Sequence, residues 1–169
     1  MKTLPLFLSM LLLLGLTGGC SKEKTHLNPS EVKDLAVLTL GGNFPEQTAD
    51  QERELLIALE WLDRDFTKRC EKTGIRVTSI KDMQDYKPSM GKLLVVDVER
   101  FSAGNRAARA FVGFGAGSAS LALNYKLLDE NGTLLSEWKD GVSSSKGSTN
   151  CAEILNRKAL ENVIGIFRN

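Results

Sequence analysis

The residue types that carry most enzymatic chemistry are thinly spread in this chain of 169 residues. Its single histidine, His26, leaves almost no material for imidazole-based catalysis or a histidine-rich metal site. Hydroxyls cluster at Ser143-Ser144-Ser145 beside Lys146, with no histidine at hand to activate one. Acidic residues are scattered without a cysteine or histidine cluster, so neither a transition-metal site nor a cofactor is expected. Asp97 and Glu99 beside Arg100 could do acid–base work, provided a cleft drives their pKa values apart. The run Gly113-Phe114-Gly115-Ala116-Gly117-Ser118 invites a phosphate-loop reading. Its spacing is G-x-G-x-G, however, and the strand-like alternation Ala119 to Leu123 follows it where a phosphate loop needs a helix. The 22 basic and 21 acidic side chains nearly cancel, which removes the electrostatic footprint of a nucleic-acid binder.

The front of the chain carries an address. Met1-Lys2 is a short basic start, Leu4 to Leu16 is apolar, and Thr17-Gly18-Gly19 are small residues before Cys20. That order makes a secretory signal, and the apolar stretch is shorter than the ~20 residues of a transmembrane helix. Leu16-Thr17-Gly18-Gly19-Cys20 resembles the lipobox of bacterial lipoproteins, with Thr17 at the position where leucine is preferred. The resemblance implies cleavage before Cys20, acylation of that cysteine, and three acyl chains, enough for stable anchoring. Ser21-Lys22 lack the aspartate that retains lipoproteins in the inner membrane, which implies the periplasmic face of an outer membrane. In an organism with one membrane, the anchor would lie in the cell membrane. Residues 1–19 are thus read as signal, 20–33 as a polar tether containing His26 and Pro29, and 34–169 as one domain.

Within that domain the apolar period alternates between two and 3.6. Leu35 to Leu40 closed by Gly41-Gly42 predicts a buried strand. Thr48 and Gln51 have capping-box spacing ahead of a helical stripe of Leu55, Leu59, Leu62, Phe66 and Cys70, ended by Gly74. Strands are expected at Ile75–Ile80, Leu93–Phe101 and Phe111–Asp129, and Asn131-Gly132 predicts a hairpin into a return strand ending near Val142. Asn150 with Glu153 is expected to cap a last helix with the stripe Cys151, Leu155, Ala159, Val163 and Ile166. Two amphipathic helices need a shared apolar surface. The expected fold is therefore a two-layer α+β sandwich, a mixed sheet of four or five strands with both helices on one face. Asp97, Glu99, Asn124 and Lys126 make the opposite face more polar.

Parity places Gly113, Gly115 and Gly117 on the same strand face as Ala119, Leu121 and Leu123. Missing side chains there would admit either the protein's own helices or the backbone of a partner. Arg100, Arg106 and Arg109 precede this strand and could hold a carboxylate or an anionic headgroup, or stay solvated. With Cys20 committed to lipid, Cys70 and Cys151 remain, an even number suited to an oxidising compartment. Cys70 and Cys151 are expected to form a disulfide, since antiparallel neighbouring helices would set these two ends side by side; the alternative is two buried free thiols.

Asn105 to Leu123, then Leu128-Asp129 and Gly132, resemble the signature of an uncharacterised bacterial lipoprotein family, domain of unknown function 4410. Gly104, Asn105 and Arg109 fit its first element. A weaker likeness in element order is to the periplasmic domains of the curli exporter CsgG and of TolB. The lipobox resemblance, the tether, the glycine-lined strand and the lack of a catalytic constellation lead to the expectation of a non-enzymatic, lipid-anchored envelope protein that meets the membrane through its acyl chains and binds a protein partner. The alternatives are a subunit of a CsgG-like secretion assembly and a carboxylate-based envelope enzyme.

Overall fold

The computed structural model describes residues 33–45, 47–104 and 117–168. In chain order the elements are β1 (Lys33–Leu40), α1 (Ala49–Glu71), β2 (Ile75–Ile80), β3 (Lys92–Ser102), β4 (Ala119–Leu128), β5 (Leu134–Ser144) and α2 (Ser148–Phe167). The five strands form one sheet in the order β2-β1-β3-β4-β5. β1 pairs parallel with both β2 and β3, and the other two ladders are antiparallel. The fold is the expected two-layer α+β sandwich.

Local signals explain the element ends. Thr48 caps α1: its hydroxyl accepts from Gln51 N while the Gln51 side chain accepts from Thr48 N. At the β4–β5 turn the Asp129 carboxylate accepts from the Asn131 and Thr133 amides, and Gly132 takes φ +82°. β1 is central, so Leu35, Ala36, Val37 and Leu38 are all buried. Leu35 and Val37 face the helices. Ala36 and Leu38 join Ile80 and Leu93 in a smaller cluster on the other side, roofed by Tyr86 and Met90. Two short 3₁₀ turns, Met83–Asp85 and Pro88–Met90, carry that roof, and Tyr86 donates to Gly91 O at 2.7 Å.

Four expectations need correction. The strand preceding the hairpin begins at Ala119, because Gly117 sits in a turn with φ +68° and cannot continue the pleat. Gly104, at the other end of the 105–116 segment, also has positive φ, and a Cβ there would fall 2.2 Å from Gly117 O. The segment's two ends therefore meet backbone to backbone. α2 begins at Ser148 with Gly147 at its N-cap, and Asn150 accepts from the Ser144 hydroxyl instead of capping the helix. β3 carries a bulge between Val98 and Arg100 that breaks its alternation.

The fourth correction concerns Cys70 and Cys151, which are both buried free thiols. The reason is helix direction. Ser148 contacts Glu54, and Asn156 contacts Leu62, at the same sequence offset of 94, so α1 and α2 run parallel. They must, because β1 and β5 point the same way and each helix folds back along the strand before it. That offset aligns Cys151 with Ile57 and Cys70 with Ile164. At 1.5 Å per residue the two cysteines lie roughly 20 Å apart along the helices, far beyond the ~7 Å limit for a bridge. The Cys151 thiol instead points to Ala119 O at 3.6 Å, and burial pushes the Cys70 thiol up to about 12. Folded protein should thus resist alkylation at both positions, and unfolding without reductant should release two reactive thiols. Unfolded, unreduced protein with none would restore the bridge.

Candidate functional site

Pairing with β4 and β5 decides which side chains of β3 look away from the helices. Leu94, Val96 and Val98 belong to the main core, so Asp97 points to the opposite face, where Asn124 is its register partner. The exposed charges there are largely matched. Lys139 pairs with Glu99 across the sheet, Lys126 lies 3.7 Å from Glu137, and Asn124 Nδ2 donates to Glu137 at 3.1 Å. The carboxylate reading of Asp97 and Glu99 thus meets an exposed ion pair at Glu99.

The bulge beyond Val98 sets Arg100 opposite Ala122 on this face. Ala122 pairs in turn with Gly141, and Ser120 with Ser143. Arg100, Ser120, Ala122, Gly141 and Ser143 line a concavity of about 260 Å³. Small side chains create the hollow, and an exposed guanidinium stands at its edge. Among the described residues Arg100 has no ion pair, so its planar fork is available to a carboxylate. The hollow reaches the end of the β3–β4 ladder, where Ser102 pairs with Ser120.

Of the residues singled out in the sequence, Cys20, Arg106, Arg109, Gly113 and Gly115 lie outside the described residues. Gly117 closes the turn before β4. The serine run is partly spent on local structure: the Ser144 hydroxyl accepts from Lys146 N at 3.0 Å while donating to Asn150.

A second polar cluster, between the helices and the sheet, went unread in the sequence. Asn156 is 3% exposed, and its amide donates to Leu62 O and to Asp65 Oδ2, both at 3.0 Å. Arg69 donates to the same Asp65 oxygen at 2.7 Å and reaches Glu153 at 3.3 Å. Thr39 donates to Asp63 Oδ1 at 2.5 Å, tying β1 to α1. The available signal was the spacing Ala152, Asn156, Ala159, Val163, a helical stripe with one amide inside it. This cluster locks two helices together; it presents no open cleft for a substrate.

Burial raises the pKa of Asp63 above its ordinary 3.8, and the Thr39 hydrogen bond offsets part of that rise. The sign follows directly. A folded state that holds this proton more tightly than the unfolded chain loses stability as pH climbs from ~3.8 through the raised value. Asp63→Asn keeps an acceptor for Thr39 and removes the ionisation. Its melting temperature relative to wild type should therefore rise between pH 3 and pH 7, and a constant difference would contradict the assignment.

The chain was compared with proteins of known sequence and structure. No curated protein matches it. Among the solved structures that align with it at low identity are the following two. The PelC dodecamer from Paraburkholderia phytofirmans aligns at 16% identity and TM-score 0.49, over 76% of this chain and 84% of that one. Uncharacterized lipoprotein B from Nitrosomonas europaea aligns at 10% identity and TM-score 0.36, over 82% and 88%. Neither likeness carries functional information. A family model described as a domain of unknown function, DUF4410, matches residues 22–147, and over that span the chain belongs to the DUF4410 family.

Proposed function

We propose that this protein is a lipid-anchored component of the bacterial cell envelope, whose domain acts as a non-enzymatic interaction module facing the periplasm. The observation that carries the reading is the Leu16–Cys20 segment, set behind an apolar leader and ahead of a polar stretch that reaches β1 at Lys33. An acylated Cys20 supplies the membrane attachment. The tether lets the domain stand off the bilayer, and the helix-free sheet face around Arg100 is the surface offered to a protein partner. An acidic side chain or a chain terminus on that partner suits the exposed Arg100 guanidinium, which has no ion pair among the described residues, above a floor of small residues.

Two measurements test this. Cys20→Ser should yield a soluble or unprocessed precursor and abolish the acylated membrane-bound form. A variant still cleaved before residue 20 and still in the membrane fraction removes the anchor from the reading. For the surface, a photo-crosslinking side chain at Ser143 in intact cells should capture a discrete partner. Arg100→Glu should erase that adduct while shifting stability by no more than ~0.5 kcal/mol, as for other surface changes. An adduct indifferent to Arg100→Glu would move the interface elsewhere.

A further inference from the structure

Among the described residues, four buried polar side-chain atoms lack a hydrogen-bond partner: Trp61 Nε1, Asn124 Oδ1, Tyr125 Oη and Trp138 Nε1. Tyr125 differs from the other three because it also lines a small cavity. The cavity lies where β1, β3 and β4 meet the two helices, and Thr39, Asp63, Tyr125 and Asn156 contribute polar groups to walls otherwise made by Val37, Leu62, Phe66 and Val96. Its free space of about 10 Å³ matches one water molecule and nothing larger.

The tyrosine is held in place. It is 1% exposed, and its ring stacks on Trp138 with centroids 5.0 Å apart and planes 10° from parallel. A hydroxyl fixed this way and left dry would bear the full desolvation cost of an unmade hydrogen bond. A matching acceptor environment exists in the same cavity. Asp63 Oδ1 already accepts from Thr39, and its second oxygen has no protein donor among the described residues. Apolar cavities of this size stay empty, whereas polar ones with two or more partners fill.

We infer that this cavity is a binding site for a single structural water, which accepts a hydrogen bond from the Tyr125 hydroxyl and donates one to Asp63. The water links β4 to the part-buried Thr39–Asp63 contact between β1 and α1, independently of any partner on the outer face.

Crystals of the purified protein diffracting to about 1.5 Å should show an ordered density peak at hydrogen-bond distance from Tyr125 Oη, about 2.6–3.0 Å. Tyr125→Phe preserves the ring and its stacking on Trp138, so it should fold. It should lose the density peak and melt several degrees below wild type. A wild-type cavity without density overturns the inference. So does a Phe variant that melts at or above wild type, because deleting an unsatisfied hydroxyl is neutral or stabilising while deleting a bonded one is not.

Discussion

Parallel pairing on both sides of β1 is the constraint from which the rest of the molecule follows. A parallel neighbour cannot be reached by a tight turn, so each of the two ladders needs a crossover. The first is α1, laid over one face between β1 and β2. The second, residues 81–91, carries the chain from β2 past β1 to β3, and its Tyr86 and Met90 close the other face. β1 is thereby buried on both sides, which is why Leu35 to Leu38 are apolar without alternation. A polar residue at Ala36 or Leu38 would face a roof that offers it no water.

The same constraint sets the helix directions. With β5 brought parallel to β1 by two antiparallel steps, α2 must run beside α1 in the same sense. Parallel helices set both positive N-terminal ends at one edge of the sandwich, where the dipoles repel mildly. Cross-helix polar contacts hold them together, Ser148 to Glu54 near that edge and the Asn156 amide bridging Leu62 O and Asp65 at mid-helix. A buried amide that satisfies two acceptors also fixes register, because sliding α2 by one turn would strand it without partners.

The surface left for function is what the crossovers do not cover. Among the described residues no helix covers the outer face of β3, β4 and β5, and beyond the apolar patch of Leu93, Val95 and Leu128 its residues are largely polar, small or ion-paired. A purely polar face would be bland. The bulge at Glu99 changes this by turning Arg100 toward Ala122 and Gly141, so that a cation borders a hollow. One inserted residue thus converts a flat face into a shaped one.

What the sequence determined by itself was everything governed by nearby residues. The Thr48–Gln51 capping box, the Gly74 stop, the Asn131-Gly132 hairpin and the period-two strands are encoded within a turn or two of chain. The polar outer face was equally legible, since strand parity assigns Asp97, Asn124 and Lys126 once the inner face is known. The family signature, and the resemblance of Leu16–Cys20 to a lipobox on which the proposed anchor rests, are read as strings of residues and needed no structure. Tertiary structure decided the rest. Helix direction depends on strand order, set by the β3–β4–β5 hairpins and by the pairing of β1 with β3, 57 residues on at Leu35 and Lys92, and it alone separates Cys70 from Cys151. The bulge left only a short trace in the sequence: unbroken alternation from Val96 and Val98 would set Arg100 in the core and turn Phe101 away, and the register against β4 shows where the extra residue is taken up. Asn156 looked like an ordinary polar helix position until α1 was laid against it, for a buried amide is stabilising only when its distant acceptors are in place.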